Sequence, residues 1–89
     1  MQQIQLKIIN ELGLHARASA KFVATSSKFL SQIDLVFGKH KVNGKSIMGV
    51  MMLGAKCGST IDCVIDGPDE EALRTALETL LENKFGEEN

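Results

Sequence analysis

The run Gly13-Leu14-His15-Ala16-Arg17-Ala18-Ser19-Ala20 brings together residue types suited to handling an anion. A histidine ring nitrogen is a nucleophile that can take a phosphoryl group. The run joins a strand-like segment to a helix-like one, which places His15 at or beside a helix N-cap. The first backbone N–H groups of a helix lack helical acceptors, and the dipole adds partial positive charge there. The N–H groups of Ala16, Arg17 and Ala18 are thus expected to face a phosphoryl group on the ring. Arg17 adds a fixed charge and a planar set of donors. The helix end also disfavours a cationic ring, which keeps a neutral nitrogen available at about pH 7. Small side chains at Ala16, Ala18 and Ala20 leave the corner open to another protein's active site. Taken alone, a histidine at a loop–helix junction reads as a solvated cap residue; its surroundings make it a candidate.

No other constellation competes with it. The chain has no Walker-type phosphate loop, no carboxylate pair beside a histidine and no nucleophile–base pair. His40 falls in a short strand after a turn and reads as a surface residue. Cys57 and Cys63 lie in no metal-ligand spacing and read as free thiols, so no metal site is expected. One phosphoryl-accepting histidine without a nucleotide site suits a carrier, working between two proteins and needing no cofactor, better than a kinase.

The elements that position His15 follow from periodicity. Ile4, Leu6 and Ile8 alternate with Gln3, Gln5 and Lys7, a strand with one buried face. Asn10 to Gly13 breaks the pattern as a loop. Ala16 to about Ser27 favours helix, with Phe22, Val23 and Phe29 sharing a face with Ser19 and Ser26. Ile33, Leu35 and Phe37 mark a second strand. Gly38-Lys39 turns into a short third strand, His40 to Val42. Ser46 is placed to cap a helix that runs through Leu53 and stops at Gly54. Ile61, Cys63 and Ile65 define a fourth strand. Gly67-Pro68-Asp69-Glu70-Glu71 opens a third helix, with proline in its first turn and acids at the positive end of the dipole. Ala72, Leu73, Ala76, Leu77, Leu80 and Leu81 line its apolar face. The tail Gly86-Glu87-Glu88-Asn89 is expected to fray. The order is βαββαβα, one domain over 1–89. Strands with a single apolar face argue for an antiparallel or mixed sheet covered by helices on one side.

Composition narrows the function classes. A formal net charge of −1, no Trp or Tyr and only four Phe weigh against nucleic acid or an anionic membrane as partner. The opening Met1-Gln2-Gln3-Ile4-Gln5 lacks the basic start and apolar run of a signal peptide, and no apolar stretch approaches the roughly 20 residues of a membrane span. A cytoplasmic protein is expected.

Gly13-Leu14-His15-Ala16-Arg17 resembles the active-site signature of the HPr family, the histidine-containing phosphocarriers of the sugar phosphotransferase system. A second family motif is matched by Asn43-Gly44-Lys45-Ser46-Ile47-Met48-Gly49-Val50-Met51-Met52-Leu53. The resemblance spans nearly the whole chain. It implies an α+β fold, an open-faced β-sandwich with a four-stranded antiparallel sheet and helices on one face. It implies phosphorylation of His15 on Nδ1 by enzyme I, support of the phosphoryl group by Arg17, and onward transfer to enzyme IIA domains by a monomer. Ala18 departs from the proline that many members carry after the arginine; it removes a preset first turn and adds a backbone donor.

The resemblance also implies regulatory phosphorylation of Ser46 by an HPr kinase/phosphorylase, compatible with its role as a cap. In the short helix, Val50 and Leu53 are expected in the core. Ile47, Met48 and Met51 are expected to form an exposed patch that adapts to several partners. Ala20 is expected on the same partner surface, and Lys21, Lys28 and Lys45 are expected to ring the patch and steer acidic partners. A nitrogen-branch or mainly regulatory paralogue would share this pattern. A small α/β binding module without phosphoryl chemistry is the alternative from a different class.

Overall fold

The computed structural model describes residues 1–89. Strand β1 spans Gln2–Lys7, helix α1 Ala16–Ser26, β2 Gln32–Phe37, β3 His40–Asn43, α2 Ile47–Met52, β4 Thr60–Asp66 and α3 Glu70–Glu82. A short 3₁₀ turn, Lys84–Gly86, follows α3. The strands form one sheet in the order β1-β4-β2-β3, and every neighbouring pair is antiparallel. This resolves the choice between antiparallel and mixed in favour of antiparallel.

The strand alternation is what makes the sheet one-sided. Ile4 pairs with Cys63 and Leu6 with Ile61 between β1 and β4, while Ile33 pairs with Ile65 and Leu35 with Cys63 between β2 and β4. All seven side chains are buried on one face. Gln3, Gln5, Lys7, Asp62 and Asp66 point the other way and are exposed. The helices cover the apolar face with Ala18 and Phe22 from α1, Val50 from α2, and Leu73, Leu77 and Leu81 from α3. Phe29 lies beyond the end of α1, which stops at Ser26, but still packs against this core.

Three expectations are corrected. Ala72 is exposed, so the buried stripe of α3 is Leu73, Leu77 and Leu81, with Ala76 and Leu80 half-buried at its margin. Pro68 precedes the helix, because Asp69 is the N-cap. The Asp69 carboxylate turns away from α3 and accepts from the Leu30 N–H at 2.8 Å, the Ser31 N–H at 2.9 Å and the Ser31 hydroxyl at 2.5 Å. The tail does not fray: Phe85 is buried, and the Glu11 N–H donates to the Asn89 carbonyl at 2.9 Å. The physical reason is a single apolar anchor that the helical periodicity of α3 does not include.

Candidate functional site

The backbone from Asn10 to His15 is bent and pinned. Gly13 adopts φ +69°, and a Cβ there would lie 2.6 Å from the Ala55 carbonyl oxygen. The Gly13 N–H donates to the Asn10 carbonyl at 3.1 Å, and the Leu14 N–H donates to the Ala55 carbonyl at 2.9 Å. Leu14 is buried, so the chain is anchored one residue before the histidine.

His15 is the N-cap of α1, with extended backbone (φ −78°, ψ −179°) and no capping bond from its side chain. Its carbonyl accepts the first helical bond, from the Ser19 N–H at 2.9 Å. The N–H groups of Ala16, Arg17 and Ala18 have no acceptor within the chain. The expected juxtaposition of ring, free donors and helix end is therefore present. Ala16, Arg17 and Ala20 are exposed, while Ala18 is fully buried against the core.

One participant was missed by sequence reasoning. The Nε2 of His15 lies 2.5 Å from Oε2 of Glu87, with the two side chains 27% and 11% exposed. The other Glu87 oxygen accepts from Asn10 Nδ2 at 3.0 Å, and the same Nδ2 donates to the Gly13 carbonyl at 2.8 Å. Burial pushes the Glu87 carboxyl up, but hydrogen bonds from Asn10 and His15 and the charges of His15 and Arg17 outweigh it, leaving it below its ordinary value. Arg17 lines a groove with Glu11, Glu87 and Glu88. Phe85, an aromatic just after the last helical turn, was the available signal that the tail is held.

The second motif forms α2 and its entry. Ser46 is the N-cap, its hydroxyl accepting from the Gly49 N–H at 3.1 Å. The Ser26 hydroxyl donates to the Gly44 carbonyl at 2.8 Å, and Lys45 Nζ donates to the Phe29 carbonyl at 2.7 Å. These bonds tie the start of α2 to the end of α1, while the Leu14–Ala55 bond ties the exit of α2 to the start of α1. The start of α2 thus lies against the end of α1, and its exit against the start of α1. Ser46 therefore sits at the opposite end of the 11-residue α1 from His15, about 16 Å away along the axis at 1.5 Å per residue.

Val50 and Leu53 are buried, whereas Ile47, Met48 and Met51 are exposed; Met52, 65% exposed, joins them and was overlooked. Lys21 is exposed, yet its Nζ donates to the Phe85 carbonyl at 2.6 Å. Both cysteines are free. Burial, helped by the nearby charge of Asp34, pushes the Cys63 thiol up to about 12. No group of three or more His, Cys, Asp or Glu side chains is placed to hold a metal. No helix is long and apolar enough to cross a membrane.

Comparison with known proteins places the chain in a family. A family model for the PTS HPr component phosphorylation site matches residues 2–83. The phosphocarrier protein HPr of Cupriavidus necator is 51% identical over 87 residues, covering 98% of each chain. That of Treponema pallidum is 48% identical over 83 residues, covering 93% of this chain and 94% of the relative. A crystal structure of HPr-C-His from Thermoanaerobacter tengcongensis superposes with a TM-score of 0.94 at 48% identity, covering all of both chains. The chain belongs to the HPr family, the phosphocarrier proteins of the phosphotransferase system.

Proposed function

We propose that His15 accepts a phosphoryl group on Nδ1 from phosphorylated enzyme I, itself charged from phosphoenolpyruvate, and passes it to an enzyme IIA domain. The observation that carries this reading is the partly exposed His15 ring at the start of α1. Its Nε2 is occupied by Glu87, its Nδ1 makes no hydrogen bond within the chain, and the N–H groups of Ala16 and Arg17 have no acceptor. The free donors receive phosphoryl oxygens, and the Arg17 guanidinium balances their charge. The chain acts as a monomeric carrier in the cytoplasm, not as an independent enzyme, because it supplies one transfer point and relies on partners for the rest.

Partners dock on the face made by Ala20, Lys21, Lys45, Ile47, Met48 and Met51. Exposed methionines adapt to differently shaped surfaces, which suits a protein that must meet a donor and an acceptor in turn. Ser46 is a regulatory phosphorylation site for an HPr kinase/phosphorylase. A phosphate there lies beyond the Debye length of roughly 8 Å at physiological salt as seen from His15. It therefore acts by adding about two negative charges to the docking face, not by a direct field on the ring.

The test is to incubate the protein with phosphoenolpyruvate and enzyme I and follow acid-labile phosphate. Label on the wild type and none on His15→Ala is the expected result; equal labelling of His15→Ala overturns the reading. For Ser46, ATP and the kinase should give acid-stable label that disappears in Ser46→Ala, and label persisting in that variant rejects the assignment.

A further inference from the structure

The C-terminal turn is held in an uncommon conformation. Lys84 and Phe85 have φ of 53° and 57°, the left-handed region that side chains other than glycine rarely enter, and Gly86 follows at 80°. Burial of the Phe85 ring and the bond from Lys21 Nζ to the Phe85 carbonyl hold this shape. Its result is that the next residue, Glu87, reaches back across the chain to His15. Asn10 then fixes the carboxylate against the Gly13 turn that also carries the histidine.

We propose that Glu87 is the positioning residue of the phosphoryl-accepting histidine. Its carboxylate keeps the ring proton on Nε2, so the Nδ1 lone pair faces the donor. The inference rests on the reading of His15 as acceptor. The arrangement of imidazole, carboxylate and supporting amide is the physical device by which a hydrogen bond to one ring nitrogen selects the tautomer and orientation of the other.

The transfer step then needs no proton movement. The Nδ1 lone pair bonds to phosphorus while the bond from phosphorus to the donor's leaving atom breaks, its electron pair staying with that atom. The ring now holds a phosphoryl group on Nδ1 and a proton on Nε2. Glu87 balances the positive charge that this places on the imidazole. In onward transfer the acceptor's nucleophile bonds to phosphorus, and the N–P pair returns to Nδ1. Glu87 sits on the Nε2 side of the ring, away from the incoming phosphoryl oxygens, while Arg17 and the free N–H groups of α1 serve those oxygens.

The experiment combines long-range ¹H–¹⁵N spectra of the neutral His15 ring with transfer rates from phosphorylated enzyme I, on full-length protein whose amide spectrum shows it folded. The wild type should show its ring proton on Nε2 alone. In Glu87→Ala the two ring nitrogen shifts should move toward each other as tautomers mix, and transfer should slow about tenfold, the lower end for loss of an orienting partner. Glu87→Gln offers one acceptor oxygen to two donors, Asn10 Nδ2–H and His15 Nε2–H, so its ring shifts and transfer rate should fall between those of wild type and Glu87→Ala. Unchanged shifts and rate in Glu87→Ala overturn the proposal while leaving His15 as acceptor. Should that variant fail to fold, a ring proton still on Nε2 alone together with an unchanged rate in Glu87→Gln overturns it equally. Absence of acid-labile label on the wild type would instead remove the acceptor reading beneath it.

Discussion

His15 reaches solvent from a backbone anchored on the buried residue before it, Leu14, whose N–H donates to the Ala55 carbonyl. Gly13 supplies a positive φ and a close approach to the Ala55 carbonyl that no side chain fits. Gly13→Ala should therefore cost about 1–3 kcal/mol from backbone strain alone and slow phosphoryl transfer by displacing the ring, both readable from denaturation and labelling kinetics. A variant with wild-type stability would mean the turn tolerates a Cβ. The cysteines divide by environment in the same way. The Cys63 thiol, pushed up to about 12 by burial, should resist alkylation in the folded protein, while exposed Cys57 reacts. Mass spectrometry after a short pulse of iodoacetamide distinguishes them, and equal labelling contradicts the burial. At this scale the sequence was most legible at the His15 corner, where Gly, His and Arg carry their meaning in neighbouring positions. It was least legible at Glu87, 72 residues from its partner, since no local pattern records which acid in an acidic tail folds back.

Among the elements, strands and helices were readable wherever one face meets the core. Ile4 and Leu6, Ile33 and Leu35, and Ile61, Cys63 and Ile65 alternate because one side of the sheet is covered and the other is open. The turn at Lys84–Gly86 was not readable: a single Phe has no period, and only the tertiary pocket makes its left-handed backbone acceptable. Helix α2 shows how little sequence holds a six-residue helix. It depends on Ser46 at one end and on Val50 and Leu53 in the core. Ser46→Ala should lose about 1 kcal/mol of cap stability, a fall in Tm of roughly 4–8 °C for a domain of this size. An unchanged melting curve would show that the cap bond contributes nothing. On the same helix, Met48→Glu should leave the Tm nearly unchanged, because Met48 is exposed, and should weaken binding to enzyme I. Equal affinity would remove the patch from the docking face.

At the end of the molecule where α1 leads into β2, Asp69 and Glu70 at the start of α3 hold the chain entering β2 and the amino terminus that precedes β1. Asp69 receives the Ser31 hydroxyl and the N–H groups of Leu30 and Ser31, and these bonds hold its carboxyl below the ordinary value. A carboxyl lowered on folding stabilises above its unfolded value, and that contribution disappears as pH falls through the folded value. The Met1 ammonium has the opposite sign. It is raised first by its hydrogen bond to Glu70, against desolvation and with the added charges of Glu70 and Asp66. Its contribution is complete below its unfolded value and is lost as pH rises through the folded one. Asp69→Asn should flatten the acid limb of the Tm–pH curve and N-terminal acetylation the alkaline limb; parallel curves would contradict these links. The proposed relay uses the same molecule, with α1 as its transfer point and α2 as its docking face. The most direct test of that relay is ³¹P–¹⁵N coupling in ¹⁵N-labelled protein phosphorylated through enzyme I. One phosphoryl signal coupled to Nδ1 of His15 is expected; coupling to Nε2, or phosphate on another residue with His15 unmodified, would contradict the assignment of His15 Nδ1 as acceptor.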